Sequence, residues 1–253
     1  MNNKMFDLSG KVAIVTGCST GLGQGMSVGL AKAGANIVGV DYVDAPETKE
    51  LIEKEGRKFL GIKANLMTIE PIEGIVNKAV SELGRVDILV NNAGIIRRED
   101  SIQFSEKDWD DVMNINIKTV FFFSQAVAKQ YIKQGSGGKI INVASMLSFQ
   151  GGIRVPSYTA SKSAVMGVTR LLANEWAKHN INVNAVAPGY MATNNTAPLR
   201  ADEQRSEEIL GRIPAGRWGT PEDLQGAAIF LASEAASYVN GYTIAVDGGW
   251  LAR

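Results

Sequence analysis

The chain has 253 residues, 45% of them hydrophobic, and its 26 basic residues balance its 26 acidic ones. This length fits one larger α/β domain, and the composition is typical of a soluble globular protein with a sizeable core. A formal net charge of zero provides no positive field, so we expect neither nucleic acid nor an anionic membrane as a partner.

The rarest side chains exclude several kinds of site. The single cysteine, Cys18, rules out an intrachain disulfide, which suits a reducing compartment and predicts a cytoplasmic protein. The first ten residues lack the apolar segment of a signal peptide, and no run approaches the roughly 20 apolar residues of a membrane helix. With His179 as the only histidine, we predict no metal site and no Ser-His-Asp triad.

Apolar β-rich runs alternate with helix-like stretches along almost the whole chain. In chain order we predict a strand at residues 11–16, a helix at 21–33, a strand at 36–41, a helix at 46–55, a strand at 57–63, a helix at 69–83, a strand at 86–91, a helix at 105–133, a strand at 139–144, a helix at 157–179, a strand at 181–187, a helix at 221–233 and a strand at 242–246.

The predicted strands are continuous apolar runs, which is typical of strands buried on both faces of a parallel sheet. Their alternation with helices predicts an α/β fold. We expect a single domain over residues 1–253, a Rossmann-type doubly wound parallel sheet of about seven strands with helices on both faces. The least regular stretch, residues 189–214, follows the sixth strand and predicts a substrate lid.

A glycine-rich turn joins the first predicted strand to the first helix, with Gly17, Gly21 and Gly23 in a GxxxGxG spacing. Glycines permit a tight turn and let the backbone approach a pyrophosphate, and a helix starting near Gly21 directs free N–H groups at that phosphate. Taken alone, the three glycines fit an ordinary strand-to-helix turn equally well.

An acidic residue, Asp41, ends the second predicted strand, near the spacing at which a carboxylate accepts hydrogen bonds from the adenosine ribose. A carboxylate there would repel a 2′-phosphate, and neither Cys18, Ser19 nor Tyr42 supplies a compensating cation. We therefore predict NAD rather than NADP as the cofactor. The alternative is a solvated aspartate at a strand end.

Four residues near the predicted strand ends and helices could carry the chemistry. Tyr158 and Lys162 lie at i and i+4 near a helix start, so they share a face, and a lysine cation lowers the pKa of a nearby phenol. Such a pair could move a proton to or from an alcohol oxygen, or be an incidental surface pair. Ser145 could hold the reacting oxygen or cap a helix. Asn116, poorly suited to a helix interior, could bend the helix and hold a water, or simply be tolerated there.

The glycine loop, Asn91-Asn92-Ala93-Gly94, Asn116, Ser145, Tyr158-x-x-x-Lys162 and Pro188-Gly189 occur in the order found in the short-chain dehydrogenase/reductase family, which the chain resembles over essentially its whole length. The resemblance implies an oxidoreductase that moves hydride directly between a substrate carbon and a nicotinamide. It implies Tyr158 as acid/base, Lys162 as the group that lowers its pKa and binds the nicotinamide ribose, Ser145 as the residue that positions the substrate oxygen, and Asn116 as the anchor of a relay water.

The cofactor site implied by the motifs and the resemblance together is broad. It comprises Gly17, Ser19, Thr20, Gly21, Leu22, Gly23, Asp41, Asn65, Leu66, Asn92, Ala93, Gly94, Tyr158, Lys162, Pro188, Gly189, Met191 and Thr193. One position departs from the family, which commonly has Asp where this chain has Asn65. An asparagine keeps an acceptor oxygen for the adenine amino group but loses the charge.

Residues 96–100, 145–156 and 189–196 resemble family members that act on keto-deoxy sugar acids. This resemblance implies a sugar-acid substrate, NAD and a homotetramer. Arginine is the best bidentate partner for a carboxylate, so Arg154 and Arg97 are candidates to bind it, with Ser145, Tyr158, Gln150 and Asn194 as further substrate contacts. Either arginine could equally be a solvated side chain.

Three other functions remain open from the sequence. The enzyme could act on another polyol, on a sugar or on a 3-ketoacyl substrate. It could instead be an epimerase or dehydratase that uses NAD internally, or a regulatory protein that binds the cofactor without turnover.

Overall fold

The computed structural model describes residues 4–253 and contains one sheet of seven parallel strands in the order β3-β2-β1-β4-β5-β6-β7. The strands are β1 (Val12–Thr16), β2 (Asn36–Asp41), β3 (Phe59–Lys63), β4 (Ile88–Asn91), β5 (Gly138–Val143), β6 (Ile181–Pro188) and β7 (Thr243–Val246). The helices are α1 (Gly21–Lys32), α2 (Pro46–Lys54), α3 (Ile72–Leu83), α4 (Glu106–Met113), α5 (Thr119–Gln134), α6 (Pro156–Trp176), α7 (Ala197–Ala201), α8 (Glu203–Arg212) and α9 (Gln225–Ala232). The predicted doubly wound α/β fold is confirmed.

Successive residues of each strand point to opposite faces of the sheet, and each face is covered by helices. In β1, Ala13 and Val15 belong to a core with α1 and α9, whereas Val12 and Ile14 belong to a core with α3, α5 and α6. All four side chains are at most 1% exposed. Burial on both faces explains why the strands are continuous apolar runs in the sequence.

The chain crosses the sheet in both directions from β1, which lies between β2 and β4. In an open α/β sheet, such a reversal of strand order leaves a crevice at the carboxyl ends of the two central strands. The segments that follow β1 and β4 are the glycine loop and the Asn92–Gly94 run, so the topology brings two motifs that are distant in sequence to one edge.

The predicted helix at residues 105–133 is interrupted. Between α4 and α5, Asn114–Lys118 forms a π-helical turn, in which the Thr119 N–H donates to the carbonyl oxygen of Asn114. Asn116 lies in this turn with its side chain fully buried. Single π turns inside α-helices occur frequently at functional sites, and the side-chain contacts of Asn116 described below account for this one.

Residues 189–214 are more regular than the sequence predicts, because they contain α7 and α8. The Asp202 carboxylate accepts a hydrogen bond from the Arg205 N–H at 3.0 Å and so caps α8. Ile209 and Ile213 are buried against Met146 and Trp250. This small cluster holds the segment beside the carboxyl ends of the strands.

None of the helices within residues 4–253 combines the length and the apolar character needed to cross a membrane.

Candidate active site

A groove of about 290 Å³ lies at the crevice between the carboxyl ends of β1 and β4. It is lined by Gly17, Ser19, Thr20, Gly21, Leu22, Asp41, Asn92, Ala93, Gly94, Ile95, Val143, Tyr158, Lys162, Thr193, Asn194 and Asn195. A larger cleft of about 710 Å³ lies at the opposite, amino-terminal edge of the sheet and includes none of these residues. We place the site in the smaller groove, since parallel sheets bind ligands at their carboxyl edge.

The glycine loop has a backbone conformation and close contacts that favour glycine at three positions. Gly17 and Gly21 have positive φ angles of 67° and 58°. A Cβ on Gly17 would lie 2.8 Å from the Asn92 side-chain nitrogen, and one on Gly23 would overlap the Gly17 carbonyl oxygen. The Asn92 amide fastens the loop by donating to the carbonyl oxygens of Thr16 at 2.9 Å and Gly17 at 3.0 Å.

Helix α1 begins at Gly21, and the preceding residue, Thr20, makes no side-chain cap. The first N–H groups of the helix therefore face the groove without an intrahelical partner, and they carry the positive end of the helix dipole. Such a helix start is a ready anion site, and here it follows a loop in which Gly17 and Gly21 carry no side chains. The local geometry suits a pyrophosphate.

Asp41 ends β2 at the rim of the groove. Its carboxylate accepts hydrogen bonds from the backbone N–H of Ser19 at 2.9 Å and of Tyr42 at 2.7 Å, so it ties β2 to the glycine loop. Lys162, at the other side of the groove, is the one cationic residue in the lining as the structure describes it. The Asp41 side of the groove therefore has negative charge with no cation in the lining beside it.

Most of the other residues predicted to bind the cofactor do not line the groove. Asn65 accepts a hydrogen bond from the Met67 N–H at 3.0 Å, and the Leu66 carbonyl accepts one from the Thr119 hydroxyl at 2.7 Å. Gly189 packs against Asp247, where a Cβ would lie 2.6 Å from the Asp247 Cα. Pro188 ends β6, Met191 is buried, and Thr193 is part of the lining.

Tyr158 and Lys162 lie in the first turns of α6 and face the same groove. The Lys162 Nζ donates to the Val143 carbonyl oxygen at 2.6 Å and lies 5.7 Å from the centroid of the Tyr158 ring. Burial lowers the pKa of Lys162 to about 8, because it disfavours the ammonium form. Below that pH the side chain still carries its proton.

The pKa of Tyr158 is raised above its ordinary value, mainly because burial disfavours the phenolate. A hydrogen bond from Ser145 and the positive charge of Arg98 act in the opposite direction. Tyr158 is thus a protonated donor at neutral pH, poised beside two groups that stabilise its anion. This is the arrangement that a general acid/base for an alcohol oxygen requires.

Ser145 follows β5 and begins the 3₁₀ turn Met146–Ser148. Its hydroxyl oxygen accepts a hydrogen bond from the Leu147 N–H at 3.1 Å, which leaves the hydroxyl hydrogen free to donate. Ser145 therefore caps the turn, as one prediction has it, and also makes a hydrogen bond to Tyr158, as the other has it.

The Asn116 side chain joins the β4 loop to α6. Its oxygen accepts from the Ile95 N–H at 2.9 Å, and its nitrogen donates to the Ile95 carbonyl at 3.0 Å and to the Ser161 hydroxyl at 3.2 Å. Ser161 in turn donates to the Tyr158 carbonyl at 2.9 Å. These bonds hold the π turn against both elements that line the groove.

The three arginines near the site differ in their partners. Arg97 lies 3.3 Å from Asp108 and 3.7 Å from Asp111, both on α4. Arg154, which has a φ of 61° and is 59% exposed, pairs with Asp100 at 2.9 Å and Glu99 at 3.5 Å. Both predicted carboxylate ligands are therefore paired with acidic side chains.

Gln150, a predicted hydroxyl ligand, is half-buried just after the 3₁₀ turn and does not line the groove, whereas Asn194 does.

Arg98 is a residue that the sequence reasoning missed. Its Nη2 donates to the Asn195 carbonyl oxygen at 3.3 Å, and its charge acts on Tyr158. It follows Arg97 directly, and in an extended segment neighbouring side chains point to opposite sides. Only the fold decides which of the two arginine side chains acts electrostatically on Tyr158. Within residues 4–253, no three His, Cys, Asp or Glu side chains cluster in a way that could hold a metal ion.

Comparisons with known proteins agree with this geometry. A family model described as Enoyl-(Acyl carrier protein) reductase matches residues 17–251. A 2-dehydro-3-deoxy-D-gluconate 5-dehydrogenase of Dickeya dadantii is 74% identical over 248 residues, covering 98% of both chains, and one of Escherichia coli K12 is 72% identical with the same coverage. A crystal structure from Agrobacterium tumefaciens, described as a candidate 2-deoxy-D-gluconate 3-dehydrogenase with bound NADP, has 54% identity and a TM-score of 0.91, covering 99% of this chain and 100% of that one.

Proposed function

This chain belongs to the short-chain dehydrogenase/reductase family, and we propose that it interconverts a secondary alcohol and a ketone on a keto-deoxy sugar acid. The observation that carries the proposal is that Tyr158 and Lys162 line one groove together with the glycine loop, while Ser145 makes a hydrogen bond to Tyr158. The relatives point to 2-dehydro-3-deoxy-D-gluconate, at the 5-position, as the substrate, with 2-deoxy-D-gluconate, at the 3-position, as the next candidate.

The residues present fit a nicotinamide dinucleotide. The backbone N–H groups of the glycine loop and of the start of α1 would receive the pyrophosphate, Asp41 the adenosine ribose, and Lys162 and Thr193 the nicotinamide end. The bound cofactor supplies or takes up the hydride. Asn65, Leu66, Pro188, Gly189 and Met191 stay proposed contacts of the cofactor, although they do not line the groove.

The protein's own part in the reaction is proton transfer and positioning. In ketone reduction, the Tyr158 hydroxyl would donate its proton to the substrate oxygen, and in alcohol oxidation the Tyr158 phenolate would accept a proton from that oxygen. The Ser145 hydroxyl donates a hydrogen bond to the same oxygen. The Lys162 ammonium stabilises the phenolate left on Tyr158. A relay water at Asn116 would have to donate to an oxygen of this residue, because both amide hydrogens of the side chain are already donated.

The proposal is tested by a nicotinamide-linked screen of keto and hydroxy sugar acids that includes 2-dehydro-3-deoxy-D-gluconate, with 3-ketoacyl thioesters, neutral sugars and polyols as competitors. We expect stoichiometric change of cofactor absorbance with the sugar acids. An epimerase or dehydratase would convert substrate without net change in cofactor absorbance, and a regulatory protein would bind cofactor without turnover. Greater turnover of a thioester or a neutral sugar would contradict the sugar-acid assignment.

We propose NAD as the physiological cofactor, although the Agrobacterium relative contains NADP. The parent is expected to favour NADH over NADPH in kcat/KM, because Asp41 would repel a 2′-phosphate. Asp41→Asn keeps an acceptor oxygen and removes the charge, so it should lower this preference by about tenfold, the equivalent of about 1.4 kcal/mol. Asp44→Asn, an exposed neighbour outside the groove, is the matched control. A parent that prefers NADPH would overturn the assignment.

We propose that Arg98 binds the substrate carboxylate. The argument rests on its position, since its charge reaches Tyr158 and its hydrogen bond goes to a carbonyl of the groove rather than to an acidic side chain. Arg154 and Arg97 stay possible ligands, but each would have to leave its carboxylate partners first. A guanidinium also offers two parallel N–H groups to a carboxylate.

Arg98→Ala is expected to raise the KM for the sugar acid by about 10- to 100-fold, the value of one or two charged hydrogen bonds. NADH affinity should remain at the parental value. The pH profile of alcohol oxidation should move to higher pH, because the pKa of Tyr158 loses a lowering charge. Arg97→Ala and Arg154→Ala are the matched controls. If Arg97→Ala or Arg154→Ala raises the KM more than Arg98→Ala does, that arginine rather than Arg98 binds the substrate carboxylate.

We further propose that residues 189–214 form the substrate lid, and that the protein is a cytoplasmic homotetramer without nucleic-acid or membrane partners. The exposed apolar side chains of Ile132 on α5 (48%) and Leu171 on α6 (47%) support association between copies. Light scattering on the purified protein measures the mass in solution, and a monomer would contradict the assembly.

A further inference from the structure

We propose that the Ser148 hydroxyl is a positioning group that holds Ser145 and Lys162 at a fixed separation beside Tyr158. The proposal rests on the proposed function, because it concerns the same proton transfer. Ser148 itself neither lines the groove nor touches the tyrosine in the contacts of residues 4–253. Its action is through its two neighbours.

Two hydrogen bonds meet at this hydroxyl. It donates to the backbone carbonyl oxygen of Lys162 at 2.6 Å, and it accepts from the backbone N–H of Ser145 at 3.3 Å. The Ser148 N–H also donates to the Ser145 carbonyl oxygen at 2.9 Å. One half-buried side chain therefore connects the turn that begins at Ser145 with helix α6.

The hydrogen bond from Ser148 to Lys162 joins two elements that are not adjacent in the sequence. Residues 145 and 162 belong to the turn after β5 and to α6, and a loop of irregular backbone separates those elements. The carbonyl of a helical residue uses one lone pair for its helix bond, so the second is available to Ser148. Helix α6 is thereby attached to the turn at the level of its catalytic lysine.

Lys162 is consequently held at both ends. Its ammonium donates to the Val143 carbonyl at the end of β5, and its own carbonyl accepts from Ser148. Ser145 is held in the same way, with its N–H donating to Ser148 and its hydroxyl oxygen accepting from the Leu147 N–H. Ser148 is the one side chain common to both sets of bonds within the described residues.

This attachment bears on chemistry because proton transfer depends steeply on position. A misplacement of about 1 Å can lower a rate by about 10²-fold. Ser145 also lowers the pKa of Tyr158 through a hydrogen bond, so a displaced Ser145 leaves that pKa higher. Loss of the Ser148 hydroxyl should therefore change the titration of Tyr158 as well as the rate.

The test uses three substitutions in the full-length protein. Ser148→Ala removes the hydroxyl, Ser148→Cys replaces it by a slightly larger group that is a weak donor and acceptor, and Ser148→Thr keeps the hydroxyl. The Ala and Cys variants are expected to lower kcat by about tenfold or more with substrate KM nearly unchanged, and the Thr variant to restore most of it. Ser81→Ala is the matched control, because Ser81 is exposed and its hydroxyl bonds a carbonyl within its own helix.

The second readout requires no substrate. The Tyr158 phenolate is titrated by its ultraviolet absorbance, as the difference between each variant and the same variant carrying Tyr158→Phe. The Ala and Cys variants should titrate at higher pH than the parent, and the Thr variant like the parent. If the parent turns over no sugar acid, the proposed function fails, whereas this titration still decides the role of Ser148.

Three results would overturn the proposal. Parental kcat in both the Ala and Cys variants would show that the hydroxyl is dispensable. A fall in kcat with an unshifted titration would indicate a purely structural role. An equal loss in the Thr variant, if it retains the parental melting temperature, would show that shape rather than hydrogen bonding matters at this position.

Discussion

Tyr158→Phe is expected to lower kcat by about 10³-fold, within the range that a positioned acid/base contributes. The substitution keeps the aromatic ring and removes only the hydroxyl, so the groove retains its shape. NADH should bind with the parental Kd, since the glycine loop, Asp41 and Lys162 are intact. Steady-state turnover of the sugar acid and NADH fluorescence titration measure the two quantities separately.

A matched control for this substitution is Tyr238→Phe. Tyr238 is fully exposed and lines the cleft at the opposite edge of the sheet, so the Tyr238→Phe variant should turn over the substrate at the parental rate. Residual activity above about one-hundredth of the parental value in Tyr158→Phe would remove Tyr158 as the acid/base, because the expected range of loss begins near 10²-fold. Loss of NADH binding would instead indicate that the phenol supports the cofactor site.

Much of the fold was predictable because burial on both faces leaves a strong signal in each strand. Every predicted strand corresponds to a strand of the sheet, and the largest boundary difference is two residues, at the starts of the third strand (Phe59 rather than residue 57) and the fourth (Ile88 rather than residue 86). The motifs at the carboxyl ends of β1 and β4 are recognisable for a related reason. A close backbone approach demands glycine at a few positions whatever lies elsewhere in the chain.

The π turn at Asn114–Lys118 was not predictable from local sequence. Its apolar residues fit an uninterrupted helix, and the deviation depends on bonds from Asn116 to Ile95 and Ser161, which are 21 and 45 residues away. The low helix propensity of asparagine indicates a weak point but not which tertiary partners use it. Helices α7 and α8 escaped prediction similarly, because their short apolar faces pack on Met146 and Trp250 from other parts of the chain.

The arginines illustrate a further limit of sequence reasoning. Arg154 lies between Ser145 and Tyr158 in sequence, which favours it as a substrate ligand, but its positive φ turns the loop so that it pairs with Asp100 and Glu99. Arg98 lies 60 residues before Tyr158 and nevertheless reaches it electrostatically. Proximity along the chain predicts contacts within an element but not across the crevice of an α/β sheet.

Gly23→Ala is the second substitution for which we expect a large effect. Its Cβ would overlap the Gly17 carbonyl oxygen and lie 2.5 Å from the Asn92 side-chain nitrogen. The Gly17 carbonyl can retreat only by deforming the loop, and Asn92 can retreat only by giving up its bonds to Thr16 and Gly17. Overpacking of this kind costs about 1–3 kcal/mol of unfolding free energy.

The same clash should weaken NADH binding by about tenfold or more, because the displaced groups hold the glycine loop in the shape that lets the pyrophosphate approach its backbone. Thermal melting with and without NADH, together with the NADH Kd, measures both effects. Gly167→Ala is the matched control, since this exposed helical glycine has open space around its Cβ position and should gain up to about 1 kcal/mol of stability. If Gly23→Ala binds NADH as tightly as the parent while Gly167→Ala behaves as expected, the loop is not a phosphate cradle, and the cofactor would have to enter the groove without approaching α1.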